Sequence, residues 1–352
     1  MQFGVSINRD EPAGVSPADE LAAALERAHA ARDLGFGLLG FGHRYSTGPA
    51  VSTPDRPALT TRRLQPLHLI AHVAAELKDT VEYSTNILLS ASAHPVSLAE
   101  EVATLDTLCH GRFRLGLGVG WLDYEFEAFG VPRAGRVRRF TELVELYRLL
   151  LTEDDVSYSG EFFRVRGVRT LARCVQEPMA PLWIGGSLDA AVRRAARLGD
   201  AWIMSSHIPM SDLERQVALF TTQRREAGLP PPTQFPIVRT VYVARTREEA
   251  LRLAEPAMRR RYAERGDRGW FLTRGDDLAA GFGDGRWIIG SPEDAIEQIL
   301  GYRERLGVTH MIFSYQAGGP GSDRASLLRM LELLGEQVIP YCRDAQARRE
   351  PA

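Results

Sequence analysis

Apolar residues fall into two alternating patterns along the chain. Short apolar runs occur at residues 3–7, 36–41, 81–90, 113–119, 181–184, 201–205, 237–244 and 310–315. Their length and apolar content predict buried strands. Between them lie longer stretches at 17–34, 67–77, 95–109, 141–151, 188–198, 210–227, from 247 onward, 292–306 and 324–341. There the apolar positions recur at helical spacing and predict amphipathic helices. The punctuation agrees. Ser16 is placed to cap the first helix with Pro17 at its first position, and Gly35 stands where that helix should stop.

Strands that are apolar throughout, alternating with helices, call for a parallel sheet covered by those helices. Eight such units in 352 residues predict an α/β fold closed as a (β/α)8 TIM barrel, one domain over residues 1–352. An open doubly wound sheet is the alternative. No dinucleotide-type glycine fingerprint opens an early βαβ unit, which counts against it. Two segments break the rhythm. Residues 152–180 are mixed, with Gly160 and Gly167, and read as an insertion with hairpin character; residues 262–286 are rich in glycine and charge and read as a lid.

Composition narrows the function classes. With a net charge of −2, nothing favours nucleic acid or an anionic membrane as a partner. No apolar run is long enough to span a bilayer, and the first residues show no leader pattern. Cys109, Cys174 and Cys342 are widely spaced, with no CxxC or metal-ligand spacing. Free thiols and a cytoplasmic location are expected.

Ligands of such barrels meet the carboxyl ends of the strands. The second strand ends in Gly42-His43-Arg44-Tyr45. A histidine there suits proton transfer, or serves only as a hydrogen-bonding loop residue. Asn86 lies in the third apolar run, and its amide needs a partner, either a ligand ring edge or a backbone group. His94, before Pro95, reads as the cap of the next helix. Gly116, Gly118 and Gly120 alternate along the fourth strand, so a flat ring or a neighbouring backbone can come close. Gly185-Gly186-Ser187 leads directly into a helix. Free N–H groups and the helix dipole favour an anion at such a turn, with Ser187 either an added donor or an ordinary N-cap. Arg136, Arg138 and Arg139 precede the helix at 141, where one of them could reach the same anion.

Ser92-Ala93-His94-Pro95-Val96, Leu105-Asp106 and Gly111-Arg112-Phe113-Arg114 resemble the bacterial luciferase-like flavin-dependent monooxygenases. Gly185-Gly186-Ser187, Ile289-Gly290-Ser291-Pro292-Glu293-Asp294 and Val338-Ile339-Pro340 extend the likeness over nearly the whole chain. The resemblance implies a homodimeric barrel that binds FMN at the strand ends, or in one branch the deazaflavin F420. It implies a two-component enzyme: a separate flavin reductase supplies FMNH2, and O2 is used to oxygenate a small organic substrate. By position, His43 or Arg44 matches the residue near the flavin reaction centre. Asn86–Ile87 matches a cis peptide bond that supports the ring, and Ser205 and Ser206 match residues that line it. Gly185, Gly186 and Ser187 match the phosphate turn. Gly118 and Val119 stand where luciferase has a reactive cysteine and a phosphate-binding arginine, which argues against light emission and leaves Arg139 to compensate. Two alternatives remain within the resemblance. One is F420-dependent hydride transfer, where the run Gly118-Val119-Gly120-Trp121 is common. The other is a non-catalytic luciferase-like partner subunit, against which Asn86 and the Gly-Gly-Ser turn count. Loops around Tyr45, His207 and Trp270 are expected to set the substrate.

Overall fold

A computed structural model of the chain describes residues 1–12, 14–45, 61–78, 80–265, 283–315 and 323–347. Eight parallel strands form its centre: β1 (Gln2–Ser6), β2 (Leu38–Phe41), β3 (Glu82–Thr85), β4 (Phe113–Gly118), β5 (Leu182–Gly185), β6 (Ala201–Ile203), β7 (Pro236–Val243) and β8 (His310–Ser314). Their order is β6-β5-β4-β3-β2-β1-β8-β7. Met204, just after β6, bridges in parallel to Ile237 of β7. Its N–H donates to the Pro236 carbonyl at 2.9 Å and its carbonyl accepts the Val238 N–H at 2.9 Å. The sheet therefore closes on itself as a (β/α)8 barrel, which removes the open edges of these strands.

Helices α1 (Pro17–Asp33), α2 (Pro66–Leu77), α3 (Pro95–Leu108), α4 (Arg136–Thr152), α5 (Asp189–Leu198), α6 (Met210–Glu226), α7 (Arg247–Arg265), α8 (Pro292–Leu306) and α9 (Arg324–Leu333) accompany the strands. Their starts are set locally. Ser16 Oγ accepts the Asp19 N–H at 3.1 Å, and His94 Nδ1 accepts the Val96 N–H at 3.3 Å. Ser291 and Asp294 close a reciprocal capping box on α8. Asp106, fully buried at the end of α3, accepts from Val175 N, Gln176 N and Gln176 Nε2 at 2.8, 3.0 and 2.6 Å. It ties the chain before β5 to α3.

The structure departs from the sequence pattern in several places. The third apolar run is divided: β3 ends at Thr85, the Asn86–Ile87 peptide bond is cis, and Leu88–Leu89 pairs separately with β4. A further strand, Trp287–Gly290, pairs with Thr240 to Val243 of β7 outside the ring. It is too short to be separated by pattern from the glycine-rich stretch before it. A short helix, Asp123–Ala128, follows β4, and α4 begins at Arg136. The hairpin character expected of residues 152–180 is borne out: Val156–Ser159 and Arg164–Val168 form an antiparallel pair. Of the segment read as a lid, residues 266–282 lie outside the described residues, as does Trp270. No described helix is long and apolar enough to cross a membrane.

Strand alternation, followed through the register, sorts the side chains inside the ring. At the amino end, Arg114 Nη2 donates to Glu82 Oε1 at 3.0 Å, and its guanidinium lies 5.8 Å from the Trp183 ring. The His310 ring lies edge-on to Trp183, 5.3 Å between centroids, and the indole N–H donates to Gln234 Oε1 at 2.7 Å. Above this floor, Leu38, Trp183, Ala201, Ile203 and Ile312 pack together, with Ile87 and Val238 against them. The barrel is thus filled from below.

Candidate functional site

At the carboxyl end the inward positions become small: Ser6, Gly40, Gly118, Gly185, Thr240 and Ser314. A Cβ on Gly40 would lie 1.9 Å from Asn86 Nδ2, and one on Gly118 would lie 2.1 Å from Ile87 Cδ1. On Gly185 it would meet the same Ile87 atom at 2.8 Å. The glycines therefore make room for the side chains of the cis pair. Gly116 serves the backbone approach instead: a Cβ there would sit 1.9 Å from the Thr85 carbonyl oxygen. Asn86 Oδ1 accepts from Ser84 Oγ at 3.0 Å, whereas Nδ2 is shielded from solvent and has no partner among the described residues. A buried donor left unpaired is costly and needs a reason.

The loop after β2 is held from both sides. Asn8 donates to the Gly42 and Leu64 carbonyls at 2.8 and 3.1 Å and accepts the Gly42 N–H at 2.7 Å. His43 Nδ1 accepts the Leu89 N–H at 3.0 Å, so its proton is on Nε2, which donates to Gln65 Oε1 at 2.8 Å. Burial pushes the imidazole pKa down to about 4, against the pull of Gln65 and with nearby Arg63 adding to the fall. His43 is therefore neutral, in one tautomer, with both nitrogens engaged. Arg44 pairs with Asp10 at 3.1 Å. Tyr45 packs edge-on against His43 and Phe129, at 4.2 and 4.5 Å between centroids, and hydrogen-bonds Ser92.

Around β5 and β6 the structure joins residues far apart in sequence. Ser187 is not the N-cap of α5; Leu188 is, and no side chain caps that helix. Ser187 Oγ instead shares a hydrogen bond with His207 Nε2 at 2.8 Å, and Ser205 Oγ shares one with His207 Nδ1 at 2.7 Å. The next residue, Ser206, lies on the same loop. Arg239, wholly buried in β7, donates to the carbonyls of Ser205 at 2.7 Å and Ile208 at 3.2 Å. It fixes the loop that carries His207. Arg239 was missed by pattern reading, although a cation inside an apolar strand was the available signal. Arg139 lies elsewhere: it donates to the Ser90 and Ala93 carbonyls at 3.0 and 2.9 Å and stacks 4.9 Å from Phe163. No described contact joins it to Ser187.

The structure thus gathers Asn86, Ile87, Gly118 and Gly185 on one wall. It links Ser187 to Ser205 through His207, and ties His43 to the extension of β3. Arg44 stands at the β1–β2 rim, and Arg139 braces the turn before α3.

A closed parallel barrel with side chains thinned at the carboxyl ends, an unpaired amide and an uncapped helix end defines a (β/α)8 protein with its candidate ligand site in the barrel mouth. A family model described as luciferase-like monooxygenase matches residues 1–310, and the chain belongs to that family. The family includes FMN-dependent monooxygenases and F420-dependent oxidoreductases. Among solved structures, a monooxygenase from Streptomyces bottropensis superposes with a TM-score of 0.77 at 24% identity, covering 97% of this chain and 99% of the other. An F420-dependent secondary alcohol dehydrogenase superposes at 0.75 with 19% identity and the same coverage. These likenesses establish the fold. A curated relative, the FMNH2-dependent dimethylsulfone monooxygenase of Pseudomonas putida, is 23% identical over 269 residues, 73% of each chain. Against several other curated relatives the match spans about half the length of each.

Proposed function

We propose that this chain is a two-component flavin-dependent monooxygenase that uses reduced FMN and O2 to oxygenate a small organic substrate. The observation that carries the reading is the unpaired Asn86 Nδ2 among Gly40, Gly118 and Gly185. A planar ring with acceptor edges would satisfy that donor and rest on the half-buried Ile87. Ser205 and Ser206 would line its other side. Gly185, Gly186 and Ser187, with the uncapped start of α5, would hold its phosphate. The bound ring supplies the redox chemistry with oxygen; the protein supplies position and dryness. His43 holds a proton at Nε2 in a fixed tautomer, and Arg44 stands beside it at the rim. A separate reductase would deliver FMNH2, and the chain would act as a homodimer, as the resemblance implies.

The second reading, hydride transfer with F420, is supported by the Gly118-Val119-Gly120-Trp121 run and by the fold likeness to the alcohol dehydrogenase. Anaerobic titration with FMNH2 and with F420 separates the two. Micromolar binding of FMNH2, weakened about tenfold in Asn86→Ala through the lost hydrogen bond, is the expected result. Tight binding of F420 alone would favour the second reading. Binding of neither would overturn both and leave the non-catalytic partner subunit.

A further inference from the structure

The ends of β5 and β6 are joined by a chain of three polar side chains, Ser187, His207 and Ser205. Ser187 belongs to the proposed phosphate turn, and Ser205 to the loop proposed to line the ring. His207 stands between them, and the ring-binding reading gives it no role.

Hydrogen bonds fix the backbone on both sides of this chain. In the turn, the Gly186 carbonyl accepts the Trp202 indole N–H at 2.8 Å, and the Ser187 carbonyl accepts from Gln216 Nε2 at 2.9 Å. A Cβ on Gly186 would lie 2.4 Å from Ala191 Cβ, so the turn closes tightly on α5. In the loop, the carbonyls of Ser205 and Ile208, which flank His207, accept from Arg239 at 2.7 and 3.2 Å. Arg239 donates further to the Tyr302 hydroxyl at 3.0 Å, which ties the loop to α8. Asp189, the acid in the first turn of α5, pairs with Arg215 at 2.5 and 3.0 Å and accepts from Gln216 at 3.0 Å. Its carboxylate is therefore held by α6.

Between these fixed frames, the freedom that remains lies in the hydrogens. His207 Nε2 meets Ser187 Oγ at 2.8 Å, and Nδ1 meets Ser205 Oγ at 2.7 Å. In its neutral form an imidazole carries one N–H and one bare nitrogen, and a hydroxyl has a single hydrogen to give. One serine then gives its hydrogen to the bare nitrogen. The other accepts from the N–H and keeps its own hydrogen for a ligand. An oxyanion on the turn calls for a donor, so it requires the second role of Ser187.

We propose that His207 is a positioning residue for the phosphate of the bound ring. With phosphate on the turn, the imidazole proton is on Nε2 and is donated to Ser187, whose hydroxyl hydrogen is thereby directed to the phosphate. Nδ1 accepts from Ser205, which then offers lone pairs and no hydrogen to a ligand beside it. Occupancy of the turn thus sets the hydrogen-bonding character of a residue on the neighbouring strand end. This inference deepens the proposed reading that the mouth binds a phosphorylated ring, and rests on it.

The test uses the full-length protein and two probes that differ only in the phosphate, FMNH2 and reduced riboflavin, titrated anaerobically. FMNH2 should bind at least about tenfold more tightly, the effect of charged hydrogen bonds to the phosphate. His207→Phe keeps a ring of similar shape without its nitrogens and should cut that preference about fivefold. Ser205→Ala should cut it about threefold, although Ser205 is not on the turn; this smaller change decides the matter if His207→Phe does not fold. Taking the ratio of the two affinities cancels any change in contacts to the ring itself. In protein labelled with 15N-histidine and saturated with FMNH2, the His207 signal should report a proton on Nε2 and none on Nδ1. Equal affinities for the two flavins, a preference undiminished in Ser205→Ala, or a proton on Nδ1 in the bound state would each overturn the proposal. A protein that binds both flavins without regard to the phosphate fails only here. One that binds neither flavin fails the functional reading, and this inference with it.

Discussion

The two ends of the barrel are built on opposite plans. At the floor, Trp183, Arg114, Glu82 and His310 fill the interior with large side chains that stack on and pair with one another. At the mouth, most inward positions shrink to glycine, serine and threonine, Ile203 being an exception, and Asn86 Nδ2 has no partner among the described residues. The floor is not free of loose ends either, since Glu82 Oε2 and Arg114 Nε have no partners among the described residues. The difference lies in space. The floor's polar groups are packed under an indole, whereas the mouth's polar groups line positions from which side chains have been removed. Packing that stabilises the ring and space that admits a ligand are thus separated along one axis, as expected of a scaffold that carries its chemistry at the strand ends.

That separation can be broken experimentally. Trp183→Ala at the floor should cost about 3–5 kcal/mol of stability in urea unfolding, the usual cost of truncating a buried aromatic. Ring affinity of the folded fraction should stay within a factor of two or so. A parallel collapse of affinity would show that the two ends are coupled. Arg114→Met should cost about 3 kcal/mol by leaving Glu82 without its cation. Adding Glu82→Gln should restore part of the loss.

Acid should act on both ends. Burial depresses His43 to about 4 and His310 to about 3, the latter with Arg114 and the chain amino group adding to the fall. The unfolded chain protonates both near pH 6.5, so between that value and the folded pKa it binds more protons than the native state. Stability contributed by the neutral histidines is present above about pH 6.5 and falls as the pH drops toward 4. Near pH 5 the two together give a slope of about 2.7 kcal/mol per pH unit. Urea midpoints between pH 5 and 7 should show it, and His43→Gln should roughly halve it. A slope unchanged by that substitution would mean that His43 is not held neutral. The smallest effect is expected from Gly185→Ala. Its Cβ would meet Ile87 Cδ1 at 2.8 Å and Cγ2 at 3.2 Å, with Ile203 Cγ2 in ordinary contact at 3.6 Å, so Ile87 must shift and stability should fall by about 1 kcal/mol. Ring binding should nevertheless weaken several-fold as Ile87 is displaced. Unchanged binding would argue that Ile87 does not support the ring.

Local chemistry made much of the fold legible. Each barrel strand overlaps a predicted apolar run, with ends that differ by one residue at Gln2, Gly185 and Pro236, because a buried parallel strand must be apolar on both faces. Ser16 and His94 cap where their position before proline placed them. Trp287–Gly290 was not legible because four apolar residues fit more than one element. The interruption at Asn86–Ile87 did not come from hydropathy; it was implied only by family resemblance.

The sequence by itself determined the period of the chain, the family, the helix starts marked by a cap before proline and the residues placed at the strand ends. These depend on nearest neighbours and on alternation. Tertiary structure alone decided where each polar group is satisfied. Leu89 and Gln65 set the tautomer of His43 from 46 and 22 residues away. His207 bridges two serines from different strand ends, and Arg139 turns to the carbonyls before α3 rather than to Ser187. A hydrogen bond is directional and short, so its partner is chosen by the closed ring of strands and not by the order of residues.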